Sequence, residues 1–171
     1  MEFPGTYEDE QGVEQITWRI EPVRRGYVIR TEVRGVPVSG HQLEGLERSD
    51  GTELHDCVLG GDMGVVRFSL DLRDEKLTLS DETRTVDADV FETGMQQLGV
   101  TSECCFTCLF SDYAPGGQAV LGMRCHRDVR ERYLAVRSKA DYWHVPVTQD
   151  VPETYLCGEY QRRIPGTGYR G

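Results

Sequence analysis

The chain has 171 residues, with 19 Lys+Arg against 29 Asp+Glu and a formal net charge of −10. That length suits one domain, or one domain with an appended module, and the acidic balance disfavours a nucleic-acid binder that works by neutralising phosphates. Hydrophobic residues make up 38%, enough for a modest core, and no apolar run approaches the roughly 18 residues of a membrane span.

The first part reads as strands. Ile16, Trp18 and Ile20 alternate with polar neighbours, as do Tyr27, Ile29, Thr31 and Val33, the period-two pattern of a half-buried strand. Pro22 to Gly26 joins them as a hairpin. Leu54 to Leu59 predicts a short strand ending at Gly60-Gly61, and Val66, Phe68, Leu70 and Leu72 predict another. Phe91, Met95 and Leu98 stand at i, i+4 and i+7 and fit a short helix stopped by Gly99. In the second part, Cys105 to Phe110 predicts an aromatic strand, residues 111–117 a loop and Gln118 to Arg124 a further strand. Arg127 to Lys139 predicts a helix with Val129, Tyr133 and Val136 on one face. The expected fold is therefore α+β, mainly an antiparallel sheet or sandwich, with a C-terminal cysteine-rich module of zinc type.

Charge divides the chain in the same place. Residues 1–100 carry 21 acidic and 10 basic residues, whereas residues 101–171 carry 8 and 9. The expected organisation is an acidic β-rich part over 1–100 and a cysteine- and arginine-bearing module over 101–171, packed with it as one unit. The start, Met-Glu-Phe-Pro-Gly, has neither the basic nor the apolar region of a signal peptide. The expectation is a cytoplasmic, reducing location without a membrane partner. Asn is absent and Lys76 and Lys139 are the only lysines, a composition that points to a GC-rich bacterial source.

In a reducing compartment six cysteines read as ligands, thiols or core residues before they read as disulfides. Cys105 and Cys108 form a C-x-x-C, followed by Cys125 and Cys157. Two thiolates three apart in a turn can face one cation, and two more close a tetrahedron. Zinc, in a structural role, fits four cysteines in a reducing cell; an iron–sulfur cluster is the other four-cysteine solution. Cys104 is an alternative to Cys105 as ligand. Buried core cysteines, or a redox dithiol at Cys105 and Cys108, are the competing readings. Cys57 reads as a core residue. His126 and His144 are alternative ligands, or else hydrogen-bonded or surface histidines.

Asp112, Tyr113 and His126 are weak candidates for a catalytic group. His126-Arg127-Asp128 spells a kinase triplet without the rest of that machinery, and Ser111 lacks a nucleophile-elbow frame. Arg162, Arg163 and Arg170 are candidates for binding an anionic partner, since guanidinium groups hold carboxylate or phosphate. The alternative is a solvated tail paired with acidic residues.

The second part resembles an uncharacterised bacterial family, a domain of unknown function. The likeness lies in Cys105-Phe106-Thr107-Cys108, the Phe110-Ser111-Asp112-Tyr113 step, Met123 to Cys125 and Thr154-Tyr155-Leu156-Cys157. It extends through Glu159-Tyr160-Gln161-Arg162-Arg163 and the Pro165-Gly-Thr-Gly-Tyr-Arg-Gly171 tail. The resemblance implies that Cys105, Cys108, Cys125 and Cys157 go together. It implies no reaction.

The sequence thus leads to a zinc-stabilised intracellular binding protein that recognises a protein or small anionic ligand. One alternative is a small metal-containing enzyme of specialised metabolism with a pocket near Asp112, His126 and Arg163. A second is an acidic immunity-type protein that neutralises a basic partner.

Overall fold

The structure is a computed structural model that describes residues 1–23, 26–113, 122–167 and 169. It is mostly antiparallel sheet with few helices, an α+β, β-rich chain, and it divides into two compact units, Met1–Val100 and Thr101–Gly171. No helix among the described residues is long and apolar enough to cross a membrane.

The first unit is built on one nine-stranded sheet. Strands β1 (Glu2–Asp9), β2 (Gly12–Pro22), β3 (Tyr27–Val33), β4 (Val36–Gly40) and β5 (Glu47–Arg48) form a meander. Strand β6 (Val58–Asp62) returns to the free side of β1, and β7 (Arg67–Asp71), β8 (Lys76–Ser80) and β9 (Thr85–Ala88) extend the sheet the other way. The order is β5-β4-β3-β2-β1-β6-β7-β8-β9, antiparallel throughout.

Alternation sets which face is buried. Phe3 and Tyr7 on β1, Ile16, Trp18 and Ile20 on β2, and Tyr27, Ile29 and Val33 on β3 are buried. Their neighbours face outward, where Arg19 pairs with Glu2 and Arg30 with Glu21. Trp18 fits because its neighbours have no side chain. Its indole Nε1 donates to the Gly60 carbonyl at 2.8 Å, and a Cβ on Gly5 would fall on the indole and on that carbonyl.

Helix α1 (Phe91–Leu98) lays Phe91, Met95 and Leu98 into the same core. Phe91 meets Phe68 edge-on at 5.6 Å, and Gly94 lets the helix sit against Leu79 and Ala88. Gly99 takes the left-handed conformation (φ 67°) and its N–H returns to Gln96, a C-terminal stop that glycine makes at little cost. The expected strand at Leu54 to Leu59 starts later, at Val58.

The second unit has much less regular structure. Its sheet joins β10 (Ser111–Asp112), β11 (Met123–Cys125) and β12 (Gln149–Val151) in that order. The strand expected over Cys105 to Phe110 is instead a 3-10 turn at Cys105–Thr107, because Thr107 and Cys108 turn their N–H groups back to the carbonyls of Cys104 and Cys105. The single helix expected over Arg127 to Lys139 is three pieces: a 3-10 turn at Arg127–Val129, α2 (Arg130–Leu134) and α3 (Lys139–Tyr142). The break falls where Ser138 caps the new helix, its hydroxyl accepting from the Asp141 N–H. Of the strand expected over Gln118 to Arg124, residues 118–121 lie outside the described residues, as does most of the 111–117 loop. Cys108, Leu109, Phe110, Tyr133, Val136 and Tyr142 form the apolar core of this unit.

Candidate functional site: a thiol group and a buried polar network

Three stretches of the second unit lock together around the cysteines. The Cys105 N–H donates to the Tyr155 carbonyl and the Phe106 N–H to Glu153. The tail then runs back along the same turn. Leu109 N–H donates to Gln161, Arg163 N–H to Thr107, and Cys108 bridges Arg162. On the other side Ser111 pairs with Cys125 across β10 and β11, and the Ser111 hydroxyl donates to the Cys105 carbonyl.

Backbone pairing thereby brings Cys105, Cys108, Cys125 and Cys157 into one electrostatic neighbourhood. Burial pushes the Cys105 thiol up, and Cys125, Cys108, Cys157 and Cys104 push it further, in that order. Burial likewise raises Cys125, which feels Cys157 and Cys108. Cys104 is arranged differently: its thiol is raised by burial and opposed chiefly by N–H groups of Thr107 and Phe106.

Hydrogen-bond donors favouring thiolate converge on two of the sulfurs. The Glu159 N–H donates to Cys157 Sγ at 3.4 Å, and Arg127 Nη1 donates to the same sulfur at 3.6 Å. The Arg127 main-chain N–H and guanidinium both favour the ionised form of Cys125. Both backbone donors stand two residues after the cysteine they reach. Among the described residues, no three His, Cys, Asp or Glu side chains are closed to metal-ligand geometry. Cys105, Cys108 and Cys125 are buried, and Cys157 is half-buried.

A second group of buried polar side chains occupies the same unit. Asp112 is 2% exposed; its Oδ2 accepts from the Tyr133 hydroxyl at 2.8 Å and its Oδ1 from the Tyr113 N–H at 2.9 Å. Burial, with the Asp112 charge next, pushes Tyr133 up to about 12. His126 has no exposed surface and stacks on Tyr133 at 4.8 Å, 7° from parallel. Its Nδ1 lies 2.8 Å from the Pro146 carbonyl and its Nε2 2.9 Å from the Tyr142 hydroxyl. A carbonyl only accepts, so Nδ1 carries the proton and Nε2 accepts from Tyr142. Burial holds His126 below the ordinary histidine range.

The structure thus gathers Asp112, Tyr113 and His126 in one unit, but with the His126 ring nitrogens both committed to the core. Neither is left for a metal. His144 is exposed, with Nδ1 2.7 Å from the Ala140 carbonyl. Period-two alternation in the tail splits Arg162 from Arg163. Arg162 is exposed and donates to the Thr101 carbonyl, whereas Arg163 turns inward to the Ser111 carbonyl. Arg170 lies outside the described residues. Sequence reasoning missed Tyr133 and Tyr142 as members of the network. It read Tyr133 as an apolar helix face, and a tyrosine hydroxyl leaves no mark on hydrophobic spacing.

Comparison with known protein families, with curated proteins and with solved structures finds no match for this chain.

Proposed function

We propose that the chain is an intracellular bacterial binding protein whose 101–171 unit is stabilised by one zinc ion on Cys105, Cys108, Cys125 and Cys157, and that it recognises a protein or small anionic ligand. One observation supports the metal reading: backbone pairing ties the Cys105–Thr107 turn to Tyr155 and Ser111 to Cys125, three of the four thiols are buried, and donors reach Cys157 Sγ. Thiols raised by burial stay protonated on their own; a divalent cation displaces the protons and converts the cluster from a cost into a tie. Zinc would link the Cys105–Thr107 turn, the end of β11 and the segment at Cys157. That tie suits a unit whose strands are two or three residues long.

The same geometry favours binding over acid–base catalysis. A general base must reach its substrate's proton, and His126 is enclosed with its two nitrogens engaged. The Asp112–Tyr133 and His126–Tyr142 bonds read as a satisfied network that fixes the core.

Metal analysis of protein purified without added metal tests the proposal. One zinc per chain is expected, with four thiols slow to react in the folded state. Zinc far below one equivalent, with every thiol titrating freely in folded protein, overturns it; a visible iron–sulfur chromophore replaces zinc by a cluster.

A further inference from the structure

Arg163 stands apart from the other arginines of its unit. The ion pairs of the described residues there are Arg124 with Asp150, and Arg127 and Arg130 with Glu159; Arg132, Arg137, Arg162 and Arg163 are in none of them, and of these four Arg163 alone is half-buried rather than exposed. Its Nη2 donates to the Ser111 main-chain carbonyl. Its Nε and Nη1 have essentially no exposed surface and no hydrogen-bond partner. Those atoms carry three N–H donors and most of a positive charge. Buried donors of a charged group are costly when unpaired, more so than those of a neutral one. A carbonyl oxygen supplies no negative charge.

The placement of this guanidinium is fixed by the backbone. Arg163 N–H donates to Thr107 at 2.9 Å and Leu109 N–H to Gln161 at 2.7 Å, so the inward position of Arg163 and the outward position of Arg162 are set by one strand-like pairing. The guanidinium also lies within hydrogen-bonding reach of the Tyr133 hydroxyl and opposes the rise in its pKa, while Nε and Nη1 keep no partner of their own. It is a preorganised cation with unused donors, lacking a described counter-ion.

We propose that Arg163 anchors a site for a small oxyanion, a carboxylate or a phosphate group, which takes the donors of Nε and Nη1. Guanidinium edges and oxyanion oxygens are complementary in charge and geometry. The site deepens the binding reading above and names its ligand class. It does not depend on which metal the thiols hold.

The test is isothermal titration of the full, metal-loaded chain with inorganic phosphate and, separately, with acetate. Saturable one-to-one uptake of at least one probe is expected, weakened tenfold or more in Arg163→Gln and unchanged in Arg162→Gln. The probe that binds identifies the source of the oxyanion. Should Arg163→Gln not fold, Arg163→Lys keeps the charge but loses the fork, and the same tenfold weakening is expected. Equal weakening in the Arg162 and Arg163 variants overturns the site as mere surface charge, and so does the absence of saturable uptake of either probe by the unaltered chain. Zinc content measured on each sample separates this outcome from the metal reading: loss of oxyanion binding at one zinc per chain leaves the metal centre standing.

Discussion

The two units solve the same problem by different means. Residues 1–100 order themselves by a nine-stranded ladder that satisfies the backbone and buries one continuous row of side chains, from Phe3 and Trp18 to Leu79 and Met95. Residues 101–171 have a three-stranded sheet and helices of five and four residues. Their interior mixes Phe110 and Val136 with five of the chain's six cysteines, all but Cys157 of them buried, and with Asp112, His126 and three tyrosines. The contrast teaches where cross-links are needed. A unit of about 70 residues seldom stabilises itself by apolar burial alone and gains from a staple. The first unit lengthens its sheet, and the second concentrates thiols.

The contrast breaks most sharply at the cysteines. Cys125→Ser is expected to abolish stoichiometric zinc and to cost the second unit several kcal/mol, on the order of a large share of its stability. Limited proteolysis should then cut within 101–171 while 1–100 stays protected. In the first unit the largest expected loss is at Trp18. Trp18→Ala removes a fully buried indole and should lower stability by about 3–5 kcal/mol, read by denaturant unfolding, with zinc content unchanged. If that variant instead lost its zinc, the two units would not be independently stabilised.

A smaller effect separates the polar network from the thiols. His126 is held below its ordinary range by burial, so the unfolded chain binds the proton more readily. Stability from this residue is complete above the unfolded pKa of about 6.5 and falls as pH drops through that value toward the folded one. Unfolding followed between pH 7.5 and 5.5 should show a decline of at most about 1.4 kcal/mol per pH unit from this proton, and His126→Gln should flatten it. The smallest effect is on the outer face of the sheet. Glu2→Gln breaks an exposed pair with Arg19 and is expected to change stability by less than about 1 kcal/mol.

The two units also differ in how much of them was legible. Alternation at Ile16–Ile20 and Tyr27–Val33 located β2 and β3, and the Phe91, Met95, Leu98 spacing with Gly99 located α1. Such segments declare themselves because one face is wet and the other dry. The second unit is buried from several sides by short segments, so no period develops. The aromatic run Cys105–Phe110 resembles a strand, although local N–H bonds fold it into a turn. The break between α2 and α3 did have a signal, Ser138 three residues before Asp141, a capping pattern inside an otherwise helical stretch. For the site, the sequence offered the cysteine set, Asp112, His126 and Arg163. It offered no means of separating Arg162 from Arg163. That separation depends on the direction each side chain takes from the pairing of the tail with the Cys105–Thr107 turn.

X-ray absorption at the zinc edge, on the full chain purified without added metal, tests the central claim most directly. The account predicts one zinc per chain in a shell of four sulfurs at about 2.3 Å. A shell that includes nitrogen or oxygen, fewer than four sulfurs, or a protein that folds with no zinc contradicts it.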